Sequence, residues 1–363
     1  MSKKTRQLLL CSVLFLIVLF FLILKTGNTD TKKTAKIGFI MSGYADDIGW
    51  NGNHYEGIKA ACKNLGAELF VKEGVLEFQG ACELAIEELA EEGVEMIILS
   101  SYGYPQEVHE FVKNYPEIVF YGNASEYQDK NLTYYFTRMY QARYLSGIIA
   151  GMMTETDKIG YVAAMPNNEV NRGISAFALG VKRVNPNAEV VVKWTGEWDN
   201  RKSETTSANA LIKEVGVDVL AYHQNQTYVA EAAEQAGVYC IGYHIPLENA
   251  SSRYLTAVEG NWDVLYEELI AEFLKGKGNL QANYWLGLEA DCVGLSQYSE
   301  EIPEEIIAEV EKAKNEILSG KDVFSGIIYD NQGNKRCNTD EAISDDTLLE
   351  KFDWYAEGVR IYE

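Results

Sequence analysis

The chain has 363 residues, 47% hydrophobic and 24% charged, which is globular in composition and long enough for two domains. Its formal charge is −22, and the first 25 residues hold four cations and no carboxylate, so the remainder carries −26. A body that acidic repels phosphate backbones and anionic headgroups, which argues against nucleic acid as a partner.

Leu8 to Leu24 is an apolar run without a charge. As a helix it would span about 26 Å, close to a bilayer's hydrocarbon core. Lys3, Lys4 and Arg6 precede it and hold the amino terminus in the cytoplasm. The following KTGNTDTKKTAK offers no pair of small residues for cleavage, and Cys11 lies too early for a lipidated terminus. Residues 1–28 are therefore expected to be an uncleaved signal anchor and linker, with a cleaved signal peptide as the alternative. The rest would be an extracytoplasmic domain at the cell membrane.

From Lys36 short apolar runs alternate with amphipathic stretches. Strands are expected at 36–41, 67–72, 95–100 and 117–122. Helices are expected at 52–65, 78–92 and around 107–114. A second cycle follows, with helix 141–153, strand 158–165, helix 170–184, strand 189–194, helix 203–215, strand 217–222, helix 227–236 and strand 238–243. Strand 254–258, helix 262–274, helix 303–319 and a hairpin around Asp330 to Gly333 complete the pattern. Such alternation predicts an α/β protein with parallel sheets in two similar lobes, and a ligand beyond the strands' carboxyl ends.

The sequence has no GxGxxG after the first strand, no GxxxxGK[ST], no G-x-S-x-G, no HExxH and no CxxC. No cofactor and no metal is implied. Cys62, Cys82 and Cys240 sit in apolar contexts and read as buried thiols, whereas Cys292 and Cys337 could pair outside the cell.

The strand ends are rich in aromatic and amide side chains. Asp46, Asp47, Gly49, Trp50, Asn51 and His54 follow the first strand, and Ser100 to Tyr104 follow the third. Asn167, Asn168, Glu169 and Arg172, then Trp198, then His223 to Gln226, and finally His244 follow strands of the second cycle. Aromatic faces stack on flat rings for about 1–3 kcal/mol each, and amides and carboxylates read a ring's polar edge. This pattern points to a small planar heterocycle.

DIGWNGNHYEG (47–57), SYGY (101–104), YQARYLSG (140–147), KIGYVAA (158–164), EVNRG (169–173), VYCIGYH (238–244) and AEGV (356–359) resemble the basic membrane protein family of substrate-binding proteins. The resemblance implies a type I periplasmic-binding-protein fold, two Rossmann-like lobes joined by a hinge. The first lobe would hold 36–142 and 243–285, and the second 143–242 and 286–363. It implies a monomeric receptor, not an enzyme, that binds a purine nucleobase or nucleoside between the lobes. The partner implied is the permease of an ABC importer, with the N-terminal helix as membrane tether. Carried over, Trp50 would stack on the ring, with Asp47 and Asn51 orienting it. Tyr102 and Gly103 would wall the first lobe. Trp198, Asn225 and His244 would close from the second lobe and hinge, with Trp262 nearby. Nucleoside-binding members carry an Asp where this chain has Tyr243-His244 and a Lys where it has Glu259. The GYH sequence resembles free-base binders, which usually carry an Asp at the position of Asn225. The alternatives are a membrane-anchored ligand sensor of the same fold and an enzyme acting on nucleosides.

Overall fold

The computed structural model describes residues 34–123, 127–244, 246, 251–276 and 284–363. The expected membrane segment lies outside the described residues. Among the described residues no helix is long and apolar enough to cross a membrane.

Residues 35–363 form one compact unit. The strands are, in chain order, β1 (Lys36–Ile40), β2 (Glu68–Lys72), β3 (Met96–Leu99), β4 (Val119–Gly122), β5 (Leu132–Thr137), β6 (Lys158–Ala163), β7 (Glu189–Trp194), β8 (Val219–His223), β9 (Tyr239–Tyr243), β10 (Tyr254–Gly260), β11 (Tyr284–Leu286), β12 (Val293–Leu295), β13 (Ile328–Tyr329), β14 (Lys335–Cys337) and β15 (Val359–Ile361). One sheet has the order β11-β5-β4-β3-β1-β2 and is parallel throughout. The other has the order β12-β10-β9-β8-β6-β7-β15, with β12 alone antiparallel. Strands β3, β5 and β8 are buried at every position, as parallel strands covered on both faces must be. The type I periplasmic-binding-protein architecture is thus present, with two α/β lobes.

The chain passes between the sheets after β5, after β10 and after β11. This moves one expected boundary. Strand 254–260, placed in the first lobe with 243–285, pairs with β9 and β12 in the second sheet. Helix Trp262–Leu274 does pack on helix Trp50–Leu65 of the first lobe. The lobe therefore changes at about residue 261, because strand partners are set by tertiary pairing that a local pattern does not encode.

In the second lobe helices Met139–Met153 and Asn168–Val184 cross closely. A Cβ on Gly147 would lie 2.0 Å from the Phe177 carbonyl oxygen, and one on Gly180 would lie 2.1 Å from that of Tyr144. Cys292 and Cys337, the conceivable pair, are both buried free thiols.

Candidate functional site

Between the lobes lies a cavity of about 330 Å³, at the carboxyl ends of the strands. From the first lobe it is lined by Ser42, Trp50, Asn51, Glu77 and Ser101 to Gly103. From the second lobe it is lined by Met165, Asn167, Glu169, Trp198, His223, Asn225 and Tyr243. A recess of about 30 Å³ shares Tyr102 and Glu169 and is also lined by Asn123, Phe136 and Arg172.

Trp50 opens helix Trp50–Leu65. Its indole N–H donates to the Ser100 carbonyl at 3.1 Å, which fixes the ring plane. Behind it stand His54 (centroids 4.1 Å), Trp262 (5.4 Å) and His244 (5.6 Å). His54 stacks on Trp262 at 3.8 Å and bonds through Nδ1 to the Tyr266 hydroxyl. The half-buried Trp50 thus has one side pressed against a rigid aromatic stack and the other bordering the cavity.

Asp47 does not line the cavity. Its Oδ1 accepts from the Gly49 N–H at 2.8 Å, and its Oδ2 accepts from the Asn51 backbone N–H at 3.2 Å and side-chain amide at 2.9 Å. It satisfies otherwise orphaned donors of the helix start and orients Asn51 rather than the ligand. The Asn51 Oδ1 in turn accepts from the Gly43 N–H at 3.0 Å. Glu77 takes the Ser101 hydroxyl and the Gly103 N–H on one oxygen, at 2.6 and 2.7 Å, and so shapes the loop that presents Tyr102.

Across the cleft, the Trp198 carbonyl accepts from the Asn225 N–H at 3.0 Å, which ties two loops of the second lobe together. Gly49 sits against Asn225: a Cβ there would lie 2.3 Å from the Asn225 carbonyl oxygen. This glycine lets the lobes approach.

His244 and Trp262 do not line the cavity. They are 3% and 2% exposed and back the ring of Trp50 from the hinge. His244 adopts φ 60°, which an L-residue rarely takes, and its N–H is held by the Val258 carbonyl at 2.8 Å. Both its ring nitrogens, the Trp262 indole N–H and His54 Nε2 are buried without partners among the described residues. Burial, with the Arg143 charge second, pulls the His244 imidazole down to about 3. Burial first, then His244, lowers His54, and burial first, then Arg143, lowers His223. The wall behind Trp50 is therefore uncharged at neutral pH.

Of the residues read from the sequence, Trp50, Asn51, Tyr102, Gly103, Trp198 and Asn225 border one cavity, with Asp47, His244 and Trp262 one layer behind. Sequence reading did not assign Ser42, Glu77, Met165, Glu169, His223 and Tyr243 to the site. Glu169 and His223 stood among the strand-end residues, so position alone could have named them. Glu77 lies on a loop that no strand-end rule reaches.

A cleft of this form between two lobes suits reversible capture of a small molecule. Over 337 aligned residues, 92% of this chain and 95% of the relative, the chain is 30% identical to the purine-binding protein of Brucella abortus. It is 29% identical, over 92% of itself and 82% of the relative, to a Haloferax volcanii protein named as the glucose-binding protein of an ABC transporter. A solute-binding protein of an ABC transporter from Conexibacter woesei has the same fold, with TM-score 0.64, 20% identity and coverage of 79% of this chain and 97% of that one. Residues 34–327 match the Bmp family, described as ABC transporter substrate-binding protein, PnrA-like. With that match over most of its length, the chain belongs to the Bmp family of extracytoplasmic solute-binding proteins, which capture small molecules for a permease and are not enzymes.

Proposed function

We propose that this protein is the receptor of an ABC importer for a purine, a nucleobase or nucleoside, captured by closure of the two lobes. The observation that carries this reading is Trp50, an indole locked by the Ser100 carbonyl and backed by the His54–Trp262 stack while bordering the cavity. Such a platform gains about 1–3 kcal/mol from a flat base. Trp198 and Tyr102 border the same space from the two lobes. No lysine or arginine lines the cavity among the described residues, which disfavours phosphorylated ligands. The purine-binding Brucella relative supports the same class.

Calorimetry on the full-length chain in detergent, with adenine, hypoxanthine, xanthine, adenosine and guanosine, tests this. Micromolar or tighter binding of at least one is expected, and W50A should weaken it about 10- to 100-fold. Binding of none would end the purine reading. Deleting the protein separates receptor from sensor: lost purine uptake fits the importer, whereas intact uptake with altered gene expression fits the sensor.

A further inference from the structure

Most polar side chains that face the cavity are committed to their own loops. The Asn51 amide bonds Asp47 and Gly43, Asn167 Oδ1 caps its helix through the Val170 N–H, and Glu77 holds Ser101 and Gly103. Glu169 differs. It is the second residue of helix Asn168–Val184, and its side chain is 20% exposed where it borders both the cavity and the recess. Oε1 accepts from the Tyr243 hydroxyl at 3.3 Å and lies 3.6 Å from His223 Nε2. Oε2 has no partner among the described residues. Arg172, one turn further on, donates to the Leu348 carbonyl and makes no bond to this carboxyl group.

We propose that Glu169 is the specificity-determining residue of the cleft, reading the hydrogen-bonding edge of the ring that stacks on Trp50. The proposal rests on the purine reading above. An ionised carboxylate only accepts, so it matches two adjacent N–H donors, such as N1–H and the 2-amino group of a guanine. A neutral carboxyl group offers one donor and one acceptor, which matches N1 and the 6-amino group of an adenine. The protonation state of one side chain would thus choose between two purine edges.

The groups that face this carboxyl are Arg172 on its own helix, Arg143 from helix Met139–Met153, His223 ending β8, Tyr243 ending β9 and Tyr161 from β6. Burial is the largest influence and raises Glu169, against the opposing pull of Arg172, the Tyr243 hydroxyl and Arg143. Burial first, then Arg143, holds His223 well below its usual range, so it does not titrate with Glu169.

The test is calorimetry on the full-length chain in detergent, with adenine and guanine each as base and nucleoside, at about pH 5.5 and about pH 8. In the wild type, adenine-type affinity should fall as pH rises and guanine-type affinity should rise. The amide of E169Q carries one donor and one acceptor at any pH. It should keep adenine-type binding at both pH values, remove the pH dependence and weaken guanine-type binding about 100-fold. E204Q, altered at a buried acid outside the cavity, should keep the wild-type pattern. Purine binding that E169Q leaves unchanged, or weakens equally for both edges, would overturn the proposal while sparing the purine reading. A wild type that binds no purine would overturn both.

Discussion

At the scale of single residues, the site depends on side chains that never touch the cavity. Asp47 has both carboxylate oxygens engaged with Gly49 and Asn51, so D47A should leave three donors unsatisfied. Thermal unfolding should show a loss of about 1–2 kcal/mol, and ligand affinity should fall about 10-fold through Asn51. Retained affinity would show that Asn51 holds its pose unaided. Trp50 was legible because an aromatic flanked by Asp47, Gly49 and Asn51 stands directly beyond a strand. Asp47 faces the helix start rather than the cavity, since sequence shows a carboxylate near an aromatic but not which way its oxygens face. The His54–Trp262 stack was hidden too, because 208 positions separate its members in the chain.

At the scale of elements, the loop before helix Trp50–Leu65 meets the loop after β8 at Gly49. A Cβ added at Gly49 would meet the Asn225 carbonyl oxygen of the facing loop. G49A should weaken ligand binding about 10-fold by opposing closure, with a larger radius of gyration by small-angle scattering in saturating ligand. An unchanged radius would show that this contact does not limit closure. Helix Arg201–Ala210 carries Glu204, fully buried, with Oε1 accepting from the Asn200 N–H at 2.9 Å and Oε2 without a partner among the described residues. Burial raises this acid to about 7. The neutral form therefore stabilises the fold at low pH, and that contribution is lost as pH rises from about 4.5 through about 7. E204Q should match the wild type near pH 4 and exceed it near pH 8 by up to about 3 kcal/mol in thermal unfolding. Equal stability at both pH values would contradict this. The central strands and long helices were legible within a few residues from their apolar spacing. Strand β5, with its run of Tyr134, Tyr135 and Phe136, was not. The three-residue edge strands β11, β12 and β15 are too short to leave a periodic signal.

At the scale of the whole molecule, the fold class was legible because strand–helix alternation admits few architectures. The lobe membership of 254–260 was not, because pairing with β9 and β12 is decided in three dimensions. The −26 carried beyond residue 25 suits a receptor for an uncharged ligand, since it repels polyanions without opposing a neutral base. Binding to a closed state should stabilise the folded chain by about 2.7 kcal/mol at a ligand concentration 100-fold above Kd, which a thermal shift reads directly. The central claim is that the cleft holds a purine, and one of the relatives carries a name for glucose instead. Head-to-head calorimetry of the full-length chain with a purine panel and with glucose decides it. Micromolar or tighter heats with a purine and none with glucose are expected. Heats with glucose alone would contradict the account.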